Sequence, residues 1–118
     1  MKENELKDRT KQFALRVIKL VNSLPKTTAG FEFGKQIFRS GTSVAANYRA
    51  ACRAKSKKDF VYKLDVVLEE ADETLLWLEL IVESETMKKK QLEGLMDEAN
   101  QLVAIFTKSI ITIRGKSN

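Results

Sequence analysis

A single proline, Pro25, interrupts 118 residues, and on both sides of it apolar residues recur at three- and four-residue steps. That spacing stacks side chains on one face of an α-helix and cannot serve the two-residue alternation of a half-buried strand. The first series is Leu6, Phe13, Val17, Leu20 and Leu24, with Thr10 completing the row. The second is Ile37, Gly41, Val44, Tyr48 and Ala51, and the third runs Phe60, Leu64, Val67, Ala71, Thr74, Leu78, Ile81. The fourth is Leu92, Leu95, Ala99, Leu102, Phe106, Ser109 and Ile113. Punctuation agrees with this division: Asn4 is a candidate N-cap and Pro25 a stop, Ser56 with Asp59 resembles a capping box, and Gly115 is a C-terminal stop.

The expected helices cover 4–24, 31–54, 57–83 and 88–114 of one domain spanning 1–118. At 1.5 Å per residue each is on the order of 30–40 Å long, and short connections make successive helices antiparallel neighbours. The fold class that follows is all-α, an antiparallel up-down four-helix bundle. No repeat of helix-hairpin length supports a solenoid instead.

Composition removes several kinds of chemistry. There is no histidine, and Cys52 is the lone cysteine, so imidazole catalysis, a cysteine-rich zinc site and an internal disulfide are excluded. Bundles can hold bridged di-iron centres, but those need Glu-x-x-His pairs, so Glu69, Glu70, Asp72 and Glu73 read as a charged surface. Gly30 to Gln36 imitates a phosphate loop superficially, yet its spacing is short, no strand precedes it and no Ser or Thr follows Lys35. Cys52, Tyr48 and Trp77 lie at or beside the apolar seams and read as packing groups. The expectation is a protein that is not an enzyme and needs no cofactor or metal. No apolar run spans a bilayer and the first residues are too polar for a secretory signal, so the chain is expected to be soluble and cytoplasmic, with no membrane partner.

Charge is distributed in blocks: net +3 over residues 1–24, +7 over 25–58, −8 over 59–86 and +3 over 87–118. At about 100° per residue, Lys35, Arg39, Arg49 and Arg53 form a stripe roughly 160° from the seam of the second helix. Asp65, Glu69, Asp72, Glu79 and Glu83 form the matching acidic stripe on the third. Both therefore face away from the bundle's own core. The fourth helix is apolar around more than half its girth, through Val103, Ile105 and Ile111, more than one core needs. Segregated signs and surplus apolar girth together predict subunits meeting head to tail, which closes into a ring when the rotation permits. Small residues Ser40, Ser43, Asn47, Ala50 and Ala54 line another stripe of the second helix and suit close helix approach, with Asn47 able to bond across a contact.

The basic stripe continues through Lys55, Lys57 and Lys58, and Arg9, Arg16 and Lys19 give the first helix a basic face of its own. Such clusters neutralise phosphates without reading bases. RNA or DNA is accordingly an expected partner, with Lys35, Arg39, Arg49, Arg53, Lys55, Lys57 and Lys58 as phosphate contacts. The other reading is a protein-only scaffold in which the stripes mate, Asp65, Glu69, Asp72, Glu79, Ser43 and Asn47 facing the neighbour.

Two runs carry a family resemblance. Gln36-Ile37-Phe38-Arg39-Ser40-Gly41-Thr42-Ser43-Val44-Ala45-Ala46-Asn47 looks like a Q-I-x-R-x-x-x-S-I-x-x-N signature. Ser56 to Phe60 and Glu70-Ala71-Asp72-Glu73-Thr74-Leu75-Leu76-Trp77-Leu78 resemble its S-x-x-[DE]-F and E-A-x-E-T-x-x-W-L runs. The family is that of the 23S rRNA intervening-sequence proteins, which includes the accessory variability determinant of diversity-generating retroelements. One departure is visible, Ala50-Ala51 standing where many members have Glu-Gly. The resemblance implies an up-down bundle, a homopentameric ring, and nucleic acid or a reverse transcriptase as partners. Arg39, Ser43 and Asn47 carry the motif, and no catalytic role comes with them.

Overall fold

The computed structural model describes residues 1–115 and contains four α-helices: α1 (Glu3–Ser23), α2 (Thr28–Ala51), α3 (Lys57–Glu83) and α4 (Lys89–Gly115). They form an up-down bundle 51 Å long and about 20 Å across, each helix packed along its predecessor. Closure between α1 and α4 is slighter.

The apolar series predicted from the sequence are the ones that meet inside. Phe13, Val17, Ile37, Val44, Leu64, Val67, Leu78, Ile81, Leu92, Leu102 and Phe106 are fully buried. Each such side chain contributes about 1.5–3 kcal/mol of transfer free energy, so these rows account for the bundle. Tyr48 stacks obliquely on Phe106 with ring centroids 5.5 Å apart, and Phe33 meets Trp77 at 6.4 Å.

Local signals explain the ends, with three corrections. Asn4 does not cap α1; it lies inside the helix, whose N-cap is Lys2 and has no side-chain cap. α2 starts at Thr28 rather than 31, because Thr27 Oγ1 accepts the Gly30 amide at 3.1 Å. A methyl on Gly30 would run into the Pro25 carbonyl oxygen, so the tight entry from α1 requires glycine there. α2 also stops earlier, at Ala51, where Arg53 and Ala54 close backbone turns on Ala50 and Ala51. Ser56 does cap α3 by accepting the Asp59 amide at 3.0 Å. Asp59 reaches past the cap residue to the Lys55 amide instead, at 3.3 Å.

The small-residue stretch of α2 has a packing cause. A methyl at Gly41 would sit 2.7 Å from Val17 Cγ2, so α1 and α2 approach as closely as they do because no side chain intervenes. On the other side of the same turn, buried Ser40 Oγ receives a hydrogen bond from Thr74 Oγ1 of α3 at 2.9 Å. The poor helix formers at 40–43 are the point where three helices converge.

Most of the surplus apolar girth of α4 is used internally. Leu102, Phe106 and Ile110 are buried, and Val103, Ile105 and Ile113 pack against the core. Ile111 remains exposed. The large exposed apolar side chains lie mainly elsewhere, on α1 and α2 (Leu15, Phe31, Phe38) and on α3 (Tyr62, Leu76, Leu80). Apolar girth on α4 therefore no longer argues for assembly.

Candidate nucleic-acid interface

The seven cations expected to face phosphate separate into two groups. Arg49, Arg53, Lys55, Lys57 and Lys58 are exposed, and among the described residues none of their side chains has an ion-pair partner. They sit at one end of the bundle, where α2 ends, the chain turns and α3 begins. The turn is held by its own hydrogen bonds, Cys52 N–H to the Tyr48 carbonyl at 3.0 Å, Arg53 to Ala50 at 3.1 Å and Ala54 to Ala51 at 3.0 Å. The acid of its own cap is already occupied: Asp59 accepts from Lys63 Nζ at 2.8 Å and from the Lys55 amide. The Lys63 hydrogen bond, first among its contacts, holds the Asp59 carboxyl below its ordinary range. The C-terminus of α2 and the N-terminus of α3 meet at this end, so their dipoles offset and the side chains set its charge.

Lys35 and Arg39 lie toward the other end of α2 and are engaged. Lys35 is 3.2 Å from Glu32, an exposed pair worth little. Arg39 bridges to α3, where its guanidinium meets Glu70 at 3.2 Å and also Glu73. Trp77 Nε1 donates to Glu73 at 3.3 Å. Burial and the adjacent Glu73 push the Glu70 carboxyl above its ordinary value, while Arg39 and the Ser43 hydroxyl oppose that shift. Arg39 is thus committed to a cluster on its own chain. Ser43 and Asn47 are half-buried on the same flank, and Asn47 Nδ2 donates to the Ser43 carbonyl at 2.9 Å, within its own helix.

The acidic stripe divides as well. Asp65 accepts from Arg114 of α4 at 2.8 Å. Glu69, Asp72, Glu79 and Glu83 have no ion-pair partner among the described residues. On α1, Arg9 is likewise engaged: it grips Glu98 of α4 through two hydrogen bonds of 2.7 and 2.8 Å. That fork supplies a directed link across the loosest seam of the bundle. The Arg16 side chain lies over Gly94, where a methyl would be 3.1 Å from Nη2. Sequence reasoning missed Glu98 and Arg114 as partners because both come from α4, far along the chain.

Other chemistry finds little to work with. Tyr48 is buried and Cys52 half-buried, and burial pushes the Tyr48 hydroxyl and the Cys52 thiol both upward. A thiol kept protonated is a poor nucleophile. Among the described residues no group of three or more His, Cys, Asp or Glu side chains could hold a metal ion. No helix among them is long and apolar enough to cross a membrane.

Comparison with known proteins bears on the same chain segments. The family of the 23S rRNA-intervening sequence protein matches residues 2–108. A comparison with curated proteins returns no match. Among solved structures, the chain is similar to a protein with unknown function from the S23 ribosomal protein family of Bacteroides thetaiotaomicron VPI-5482, whose crystal structure is at 1.70 Å resolution. The two are 38% identical, the match covers 93% of this chain and 98% of that one, and the TM-score is 0.86. With four helices in the expected order and a family match across nearly the whole bundle, the chain belongs to the 23S rRNA-intervening sequence protein family.

Proposed function

We propose that the protein is a non-enzymatic, homo-oligomeric accessory protein that binds RNA or DNA through phosphate contacts at the corner between α2 and α3. The observation that supports it most is the set of five cations, Arg49, Arg53, Lys55, Lys57 and Lys58, that have no ion-pair partner among the described residues and surround a turn fixed by its own hydrogen bonds. A rigid cluster of unpaired cations releases counterions from a phosphate chain and binds with little regard to sequence. Copies of the corner in an oligomer, the pentamer implied by the resemblance, would add by multivalency. Arg39 drops out of this contact set because Glu70 and Glu73 hold it, and Lys35 because it lies toward the other end of α2, away from the corner.

A second reading, a scaffold that binds only protein, draws support from Glu69, Asp72, Glu79 and Glu83 on α3, which have no ion-pair partner among the described residues. The two readings separate in one experiment. Light scattering and RNA binding are measured for wild type and for an Arg49→Glu, Arg53→Glu double variant. The nucleic-acid reading expects salt-sensitive RNA binding that the reversals abolish while particle mass is unchanged. Loss of the oligomer on reversal, with RNA ignored by the wild type, would favour the scaffold.

A further inference from the structure

Besides Tyr62 near the start of α3, four large apolar side chains remain exposed on α2 and α3 after the core is complete: Phe31 at 59%, Phe38 at 45%, Leu76 at 47% and Leu80 at 37%. They form two patches of different character. Phe31 and Phe38, seven residues apart on α2, line a groove of about 580 Å³ against Leu24 and Pro25 of the preceding turn, and Lys26 and Lys35 line it too. Leu76 and Leu80, four residues apart, point outward from α3 between acids that have no ion-pair partner among the described residues, Glu79 and Glu83 among them. One patch is apolar with a positive rim and the other apolar with a negative rim.

The two patches lie at the same height along the bundle. Ser40 and Thr74, both short, touch at 2.9 Å and so mark equal levels on α2 and α3. The helices are antiparallel, so counting back along α2 and forward along α3 moves in the same direction. Two residues on, Phe38 is level with Leu76. Five on, Lys35 is level with Glu79, and nine on, Phe31 is level with Glu83. A copy rotated about an axis parallel to the bundle, with no shift along it, therefore presents leucine to phenylalanine and glutamate to lysine.

We propose that these surfaces are the two halves of one contact: the Leu76–Leu80 strip of α3 seats on the Phe31–Phe38 groove of a second copy of this chain. The surfaces differ, so the contact is head to tail, and the equal heights direct it toward a closed ring instead of a climbing filament. The contact occupies one half of α2 and leaves the cation corner at the other end uncovered. The inference rests on the reading that the protein is an oligomer, and it names the surface by which it becomes one. Lys35 can turn from Glu32 toward the neighbour at little cost, since their exposed pair contributes almost nothing.

The test co-expresses two full-length chains carrying Cys52→Ser, one with Phe38→Cys and a distinguishing tag, the other with Leu76→Cys. Particle mass is first measured by light scattering, and the mixture is then oxidised with copper phenanthroline. The expected result is an oligomer in which a disulfide joins tagged to untagged chain, with neither chain cross-linking to its own kind. An oligomer with no mixed cross-link, or with Phe38→Cys chains linked to each other, overturns this contact and leaves the oligomeric reading standing. A wild type that is monomeric at all concentrations overturns both. A Phe38→Asp variant provides the second measurement: the account expects a particle of monomer mass with unchanged helical signal, and an intact oligomer contradicts it.

Discussion

The cations on the N-terminal side of α2 and those at and beyond its C-terminus have opposite fates. Toward its N-terminus, Arg39 meets Glu70 and Glu73, Lys35 meets Glu32, and Gly41 and Ser40 bring α1 and α3 close. At and beyond its C-terminus, Arg49, Arg53 and the lysines have no ion-pair partner among the described residues, the α3 acids near that end, Asp59 and Asp65, being taken by Lys63 and Arg114. A basic run in a sequence is therefore not yet a basic surface. What decides is the helix packed alongside and which of its acids are already occupied.

Changes at the packed half should produce the largest effects. Gly41→Val forces Val17 aside where even a methyl lies at 2.7 Å, and overpacking of this kind costs typically about 1–3 kcal/mol. At about 3–6 °C per kcal/mol, between the values for smaller and larger domains, the melting temperature should fall by roughly 3–18 °C, measured by circular dichroism. An unchanged melting point would mean that the α1–α2 approach is not held by this glycine.

Arg39→Gln sharpens the comparison through pH. Glu70 has a raised carboxyl value in the folded chain, chiefly from burial, so its contribution to stability is present below the ordinary glutamate range and is lost as pH rises through the folded value. Removing Arg39 removes an opposing influence and raises that value further. The stability gap between variant and wild type should thus be small in acid and widen as pH increases toward neutrality. A gap independent of pH would show that Arg39 acts by packing its stem alone. Ser40→Ala, which removes the buried hydroxyl beside Thr74, should cost about 1 kcal/mol at every pH.

The cation corner beyond α2 should be nearly silent in stability. Arg53→Gln with Lys57→Gln breaks no side-chain ion pair among the described residues and is expected to stay within about 0.5 kcal/mol of wild type in a denaturant melt. A larger loss would reveal a structural role that the exposed, unpaired side chains do not suggest.

Much of the fold was legible because it depends on local periodicity. Residues such as Phe13, Val17, Leu64, Leu78 and Phe106 occur at helical spacing and are all in the core. Helix ends were read less well where a cap competes: Thr27 advanced the start of α2, while Asn4, a sound cap by type, was carried into the helix. The candidate site was only half legible. Helical angles placed the charge stripes outward, but a long side chain spans the width of a groove, so Arg39 at the stripe's edge still reaches α3. The pairs Arg9–Glu98 and Asp65–Arg114 join residues 89 and 49 positions apart, and no spacing rule within a helix could find them.

The most direct test measures affinity for a single-stranded RNA against salt concentration, for wild type, Arg39→Gln and the Arg53→Gln, Lys57→Gln pair. The account predicts that the pair weakens binding and flattens the logarithmic salt slope by about 1.4, at ~0.7 for each lost phosphate contact, while Arg39→Gln keeps the wild-type slope. A pair that binds like the wild type, or an Arg39→Gln variant that loses as much as the pair, would contradict it.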